Sequence, residues 1–262
     1  MKINFLQNYL HMKNIHQLGI LIVLMILAAC EESAKENPDF VGAEVVWSNV
    51  SDTIQDKYEN VYIASYDQVS QDNQNPVIFK YDKDGALLWK AEYEDTPVDG
   101  RAVMVTTDRY DSLWAVFSVD GGSNDLKSIS KNFIEVDAFK NAIFNTYGKA
   151  SGAAKALVIA KINPSNGRIL RGTFFMSRTE EGDVNAKGKT NSMEITKMGF
   201  GQNQNVLIEC HSWFKPPAKK SNTSKFIFHP DASDAAKKGQ SYWTLEYELT
   251  WDLAYIVNAT VK

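Results

Sequence analysis

Four residues beyond position 29 are of types that often carry nucleophilic or metal chemistry: Cys30, Cys210, His211 and His229. Cys210 and His211 are adjacent in a stretch that alternates apolar and polar residues, which predicts a strand. Neighbouring side chains of a strand point to opposite faces, which argues against a Cys–His dyad or a shared metal ion. His229 precedes a proline at a strand end. We therefore expect both histidines to serve in packing or at the surface.

The short motifs of common hydrolase, zinc, phosphate and redox sites are absent from this sequence: G-x-S-x-G, H-E-x-x-H, G-x-x-x-x-G-K-[ST] and C-x-x-C. Two cysteines supply neither a disulfide framework nor a four-ligand zinc site. The sequence therefore predicts no catalytic residue, no metal ligand and no cofactor.

Acidic residues cluster in three turn-like stretches. Segments 82–85 ("DKDG") and 230–239 ("PDASDAAKKG") pair acids as calcium loops do, but the glycine of the first comes too early for an EF-hand loop. Glu180, Glu181 and Asp183 could act as paired carboxylates of a glycosidase, yet nothing in the sequence fixes their separation. Solvated turns are the preferred interpretation of all three stretches.

Aromatic residues offer a different kind of site. Trp213 and Phe214 come just before Pro216 and Pro217, so they are candidates for an exposed platform that contacts a sugar or a partner protein. Packing between sheets is the first expectation for the five tryptophans in or beside strand-like runs, which are Trp89, Trp114, Trp213, Trp243 and Trp251.

The bulk composition is that of a globular protein, with 262 residues, 44% hydrophobic and 23% charged. The net charge of −4 argues against a nucleic-acid partner, because such surfaces need clustered Lys and Arg. The richest basic stretch, 213–225, is interpreted as a solvated loop.

The N-terminal segment contains a ten-residue apolar run, 18–27 ("LGILIVLMIL"), preceded by Lys13. A bilayer-spanning helix needs about 20 apolar residues, so the run has the length of a signal-peptide core instead. A buried helix is disfavoured because the run has no polar face. The run ends in Leu27-Ala28-Ala29-Cys30.

That tetrapeptide resembles the lipobox of bacterial lipoproteins, and the resemblance covers about the first 30 residues. It implies that Cys30 is lipidated and becomes the first mature residue after residues 1–29 are removed, with 1–11 an upstream start-site extension or a long n-region. Residues 30–41 would form a flexible tether. The acidic residues after Cys30 favour the outer membrane, with the leaflet undecided.

From about residue 40 the sequence predicts short strands. Residues 59–67, 75–82, 86–94 and 101–108 are rich in β-branched and aromatic residues and are separated by turn residues. Helix competes with strand only in 126–147.

Internal repeats organise this region. Segment 77–93 matches 157–175, which pairs Lys80 with Lys161, Asp82 with Asn163 and Gly85 with Gly167. Segment 102–119 matches 192–213, and 60–67 is a third copy of its last strand. We expect 224–233 to be a degraded third copy of the first unit.

This order of elements resembles bacterial β-propeller repeats, in which each unit forms a four-stranded blade. The resemblance implies an all-β fold of about three units over 42–262, a small or partial propeller-like stack with an insertion at 120–152. Segment 42–50 could close a ring by pairing with the C-terminal unit. A two-sheet β-sandwich is the alternative fold.

The sequence thus predicts a membrane-anchored envelope lipoprotein that binds an unknown protein or glycan partner, with the 120–152 insertion as a natural contact surface. The alternative is an envelope enzyme acting on glycan or peptide, with Glu180, Glu181, Asp183 or His211 in its site.

Overall fold

The computed structural model describes residues 46–71, 74–93, 100–120, 134–144, 155–178, 193–201, 203–218 and 227–262. Within these ranges the chain is all-β, apart from one 3-10 turn at Asp234–Lys237. No helix in this part of the chain could cross a membrane. The predicted signal (1–29), the tether (30–41) and Cys30 lie outside the described residues.

The described strands, in chain order, are β1 (Val46–Asn49), β2 (Thr53–Gln55), β3 (Val61–Gln68), β4 (Gln74–Tyr81), β5 (Leu87–Glu92), β6 (Gly100–Thr107), β7 (Leu113–Asp120), β8 (Lys155–Ile162), β9 (Ile169–Phe175), β10 (Met193–Phe200), β11 (Val206–Ser212), β12 (Trp243–Leu249) and β13 (Ile256–Val261).

These strands form three antiparallel sheets that do not close on one another. The N-terminal sheet has the order β2-β3-β4-β5, the middle sheet β6-β7-β8-β9, and the C-terminal sheet β1-β10-β11-β12-β13. The predicted count of about three units is confirmed, and three sheets replace the two of a sandwich. The predicted pairing of 42–50 with the C-terminal unit is confirmed for β1, which lies beside β10.

The middle sheet is buried on both faces. On β7, Leu113, Ala115 and Phe117 belong to the core shared with the N-terminal sheet, whereas Trp114 and Val116 belong to the core shared with the C-terminal sheet. Two buried faces remove the apolar–polar alternation of a half-solvated strand. For this reason β7 and β8 have nearly continuous apolar sequences, while β11 and β12 alternate buried and half-buried residues.

The hairpins β2–β3, β6–β7 and β10–β11 share one turn geometry. Asp56 and Asp108 each accept backbone N–H groups from the residues two and four positions later, at 2.8–2.9 Å. This Asx capping fixes the turn because short carboxylate side chains satisfy backbone donors that the strands leave unpaired. The third turn has Gly201 at this position, and the guanidinium of Arg109 donates to its carbonyl oxygen.

The hairpins β4–β5, β8–β9 and β12–β13 share a second turn geometry. The side-chain oxygens of Asp82, Asn163 and Thr250 accept backbone N–H groups of their own turns at 2.8–3.0 Å. A later residue of each turn then adopts a left-handed conformation, which costs glycine little. These residues are Gly85 (φ 84°), Gly167 (φ 77°) and Leu253 (φ 59°).

The predicted repeats correspond to equivalent hairpins. Segments 77–93 and 157–175 form β4–β5 and β8–β9, and segments 102–119 and 192–213 contain β6–β7 and β10–β11. The predicted pair Lys80 and Lys161 occupies equivalent positions: each lies opposite an aromatic residue on the neighbouring strand, with Nζ 5.1 Å from the ring centre of Tyr62 and 5.6 Å from that of Trp114.

One predicted repeat was wrong. The described part of segment 224–233 contains only an isolated bridge between Phe228 and Pro217, followed by turns. The third copy is instead β12–β13, whose turn at Thr250 matches those at Asp82 and Asn163. The sequence comparison missed the β12–β13 hairpin because this hairpin has neither the lysine nor the glycine of the other two copies.

Segment 46–55 contacts the first long strand of every sheet. Its β1 pairs with β10, and the Val50 N–H continues that contact by donating to the Thr196 carbonyl at 3.3 Å. The Ser51 carbonyl then accepts from Val105 of β6 at 3.1 Å, and the Asp52 carbonyl accepts from Ala64 of β3 at 2.7 Å. A single ten-residue stretch therefore joins the edges of all three sheets, which would otherwise expose unpaired backbone groups.

Residues 134–144, the described part of the predicted insertion, cover the edge strand β9. The Glu135 N–H donates to Ile169, the Gly172 N–H to Ala138 and the Phe174 N–H to Phe144, at 2.9–3.1 Å. The segment consists of a bridge and turns rather than a helix. Its role in the fold is to satisfy backbone groups that an uncovered edge would expose.

Candidate binding pocket

Trp213 follows the end of β11 and is half-buried within an aromatic cluster. The His211 and Tyr242 rings stack with centres 4.1 Å apart, and Trp213 meets the Tyr242 ring edge-on at 5.5 Å. Phe214 is half-buried as well, and its carbonyl accepts the Ser212 hydroxyl at 2.7 Å. The expectation of an exposed platform at Trp213 and Phe214 is thus met only in part, because neighbouring side chains cover much of both rings.

Cys210, His211 and His229 are each held by packing or hydrogen bonds within the fold. Cys210 is buried in the core and His211 lies on the opposite face of β11, so the predicted separation of this pair is confirmed. Burial raises the pKa of the Cys210 thiol well above its ordinary range. His229 is buried: its Nδ1 accepts the Asp231 N–H at 3.2 Å, so its Nε2 donates to the Ala259 carbonyl at 3.1 Å.

Glu180, Glu181 and Asp183 lie outside the described residues, as does Cys30. Across the described ranges, no group of three or more His, Cys, Asp or Glu side chains is arranged to hold a metal ion.

A pocket of about 320 Å³ lies where the insertion segment, β9 and the β12–β13 turn meet. This volume is at the lower end of the roughly 300–1,000 Å³ typical of ligand sites. The residues that line it are Asp137, Ala138, Lys140, Asn141, Ala142, Arg171, Trp251 and Asp252.

The insertion segment forms one wall and is fixed by packing. Ala138 and Ala142 are buried, and Phe139 between them packs on the backbone of β9 at Gly172, where an added Cβ would lie 2.5 Å from the Phe139 ring. The Ile143 N–H donates to the Leu253 carbonyl at 2.8 Å. The wall is therefore attached to both elements that complete the pocket.

The opposite wall is the β12–β13 turn. Thr250 Oγ1 accepts two backbone N–H groups at 3.0 Å, and Asp252 Oδ1 accepts the Ala254 N–H at 3.2 Å. These caps hold the turn so that the Trp251 side chain projects outward, and it remains 51% exposed. The turn thus presents an apolar ring beside a fixed carboxylate.

Charged groups complete the rim of the pocket. Arg171 donates through Nη1 to the Leu170 carbonyl at 3.1 Å, and Lys140 forms an ion pair with Asp137 at 3.3 Å. Two acidic and two basic side chains give the lining a formal charge of zero. The pocket therefore combines one exposed indole with donors and acceptors of both signs.

Trp251 was expected to pack between sheets, and its exposure corrects that expectation. Trp114 and Trp243, by contrast, are buried in the core as expected. A signal was present in the sequence: Trp251 occupies the turn position that Lys83 occupies in the first repeat, and turn positions face solvent.

No protein-family model matches this chain, and a search of curated proteins finds no significant relative.

Proposed function

We propose that this protein is a lipid-anchored protein of the bacterial cell envelope that binds a ligand through the pocket beside Trp251. The anchor is proposed from the sequence pattern that ends at Cys30, which resembles a lipobox. Acyl chains on this residue would hold the protein in the outer membrane, since each buried CH₂ contributes about 0.8 kcal/mol.

The body is proposed to be a small propeller-like stack in which each sheet is one blade. Three features support this proposal: the repeated turns, the face-to-face packing of the sheets, and the meeting of first strands at segment 46–55. An ion pair of 2.5 Å between Lys57 and Asp111 joins equivalent turns of the first two sheets, as the Arg109–Gly201 hydrogen bond joins those of the last two. Equivalent turns of successive blades are neighbours in such a stack.

One observation carries the binding function: Trp251 is half exposed in a capped turn and faces a concave surface with four charged side chains. Aromatic side chains and convergent polar groups are both recurrent components of ligand sites. The Trp251 ring and the four charged side chains belong to neither of the two hydrophobic cores.

The anchor is tested by Cys30→Ala, with Cys210→Ala as the control for the other thiol. We expect Cys30→Ala to abolish incorporation of labelled palmitate and to move the protein out of the membrane fraction. Cys210→Ala should retain the label. Wild-type membrane association and labelling in Cys30→Ala would refute the anchor.

The binding function is tested by ligand-observed NMR on the full chain with a panel of saccharides, peptides, nucleotides and fatty acids. At least one probe should bind the wild type and lose binding in Trp251→Ala. Tyr255→Ala is the matched control, since this ring is 55% exposed near the same turn but does not line the pocket. If Trp251→Ala and Tyr255→Ala bind every probe alike, the pocket is not the site.

The enzyme alternative remains a hypothesis about residues that the pocket does not include. His211 lies in the aromatic cluster with Trp213, and the three acidic residues of that hypothesis lie outside the described ranges. The same NMR panel would reveal an enzyme directly, because new product signals would grow with time.

A further inference from the structure

The electrostatics of the pocket restrict the chemical class of its ligand. Because Asp137 and Asp252 offset Lys140 and Arg171, the lining has no net charge that would favour a phosphate, a carboxylate, a metal ion or an ammonium group. A wholly apolar ligand would strip water from these four charges without replacing their hydrogen bonds. The lining therefore favours a neutral ligand rich in hydrogen-bonding groups.

The unused hydrogen-bonding groups at the rim of the pocket are suited to hydroxyl groups of a ligand. Asp252 Oδ2 has no hydrogen-bond partner in the described part of the chain, and the Nε and Nη2 groups of Arg171 have no acceptor there. A carboxylate accepts hydrogen bonds and a guanidinium donates them in pairs with fixed geometry. Hydroxyl groups act as donors to the first and acceptors from the second.

The Trp251 ring requires that the ligand also have an apolar face. The faces of an aromatic ring carry a partial negative charge, so they attract weakly polarised C–H groups. A pyranose ring has both parts, with axial C–H groups on one face and hydroxyls around its edge.

A peptide fits this site less well because the backbone groups that would recognise it are already used. Extended peptides commonly add to an exposed strand edge. Here residues 134–144 occupy the edge of β9 with three backbone hydrogen bonds. The pocket offers side chains rather than a free strand edge.

We infer that the pocket formed by Trp251, Asp252, Arg171 and the 137–142 segment binds a neutral saccharide, with one sugar ring stacked on the indole. This inference rests on the proposed binding function and specifies its ligand class. Asp252 accepts hydroxyl protons and Arg171 donates to hydroxyl oxygens at the edge of that ring.

The test is calorimetric titration of the full chain in a detergent without a sugar headgroup, since a glycoside detergent would compete. The probes are neutral hexoses, N-acetylhexosamines and their disaccharides, with glucose 6-phosphate and glucosamine as charged counterparts and an uncharged capped tripeptide. We expect at least one neutral saccharide to bind, and Trp251→Ala to weaken it at least about tenfold. Asp252→Asn should weaken it less, and Tyr255→Ala should leave it unchanged.

The outcomes separate the ligand class from the binding function. Binding of a charged probe or the tripeptide that depends on Trp251, with no binding of neutral saccharides, would overturn the saccharide and preserve the site. Saccharide binding that Trp251→Ala does not weaken would overturn the stacking geometry. Failure of every probe here, together with no Trp251-dependent binding in the wider NMR panel, would overturn both proposals.

Discussion

Replacing Gly167 by alanine should destabilise the contact between the N-terminal and middle sheets. Gly167 lies in the β8–β9 turn at φ 77°, and an alanine Cβ would lie 2.6 Å from Ala91 Cβ and 3.0 Å from the Trp89 ring. Ala91 is buried on β5 and cannot rotate away. The turn must therefore move away from the neighbouring sheet.

Gly85 provides the matched control for this substitution. It occupies the equivalent turn position at φ 84°, but a Cβ there meets nothing within 4 Å. Gly85→Ala should cost about 1 kcal/mol for the left-handed conformation alone. Both variants share this cost, so their difference isolates the contact between the sheets.

The additional cost at Gly167 follows from what the turn would lose. Overpacking typically costs about 1–3 kcal/mol. Movement would also weaken two hydrogen bonds that cross between the sheets: from the Tyr93 hydroxyl to the Gly167 carbonyl at 2.5 Å, and from the Trp89 indole to the Pro164 carbonyl at 3.0 Å. Leaving buried donors unpaired adds about 1–3 kcal/mol. The total difference from Gly85→Ala should be about 2–6 kcal/mol.

Urea denaturation of the full chain and thermal melts would measure this difference. For a body of this size, about 2–4 °C of Tm corresponds to 1 kcal/mol, so Gly167→Ala should melt about 4–24 °C below Gly85→Ala. The double variant Ala91→Gly with Gly167→Ala removes the clashing Cβ and should recover part of the loss. Equal melting of the two single variants, or strict additivity in the double variant, would refute the close approach of these sheets.

Three further predictions concern the turns and the core. Asp108→Ala should lower the free energy of unfolding by about 2–3 kcal/mol, because this carboxylate caps its turn and also accepts the Trp114 indole N–H at 3.2 Å. Asp82 is a more exposed cap, so Asp82→Ala should lower it by about 1 kcal/mol. Equal losses in urea denaturation would contradict this prediction. Burial alone would raise the pKa of Asp56, but the hydrogen bonds that it accepts within its turn outweigh burial and hold the pKa below 3.8. Its stabilising contribution is therefore present above that pH and is lost as the pH falls through the lowered value, so Asp56→Asn should flatten the acid limb of the stability–pH curve, and an unchanged limb would be contrary evidence. Cys210 should resist iodoacetamide at pH 8 in the native protein and react once urea unfolds it, which mass spectrometry can follow; rapid native labelling would show that this thiol is accessible.

Much of the strand order was predictable from sequence because turns and strands of this chain carry local signals. Asp82-Lys83-Asp84-Gly85 contains both the capping side chain and the left-handed residue that its turn requires, so the hairpin around it could be identified. The double burial of β7 and β8 also follows from sequence, as continuous apolar runs of strand length.

The role of segment 134–144 was not predictable for a physical reason. Phe139, Ala142 and Ile143 are buried at helix-like spacing, which made a helix competitive in the sequence. In the structure the segment consists of turns, in which Phe139 and Ala142 pack into the core shared by the N-terminal and middle sheets, whereas Ile143 packs into the core shared with the C-terminal sheet. A tertiary surface, rather than local propensity, selects the conformation.

The pocket could not be predicted because it assembles residues that are distant in the sequence. Residues 137–142, Arg171 and the Trp251–Asp252 pair come from three separate segments, and none of them carries a motif. The prolines that follow Trp213 suggested an exposed ring. The ring is half-buried because Tyr242, which lies 29 positions later in the sequence, packs against it.

The position of β1 has a mechanical consequence. If the protein is held at Cys30, as proposed, tension from the membrane enters the body at β1, and tension from a bound ligand enters at the Trp251 turn. Both points belong to the C-terminal sheet, so the load path runs across β10, β11 and β12. Val46, Phe200, Val206 and Leu249 are paired at one end of the sheet, which is the end that carries the Trp251 turn. Backbone hydrogen bonds in an antiparallel sheet are perpendicular to the strands, so a pull between Val46 and the Trp251 turn acts along these bonds and loads them one after another from this end. The C-terminal sheet would be the main element under tension between membrane and ligand, and the middle sheet would share the load through Arg171 of β9.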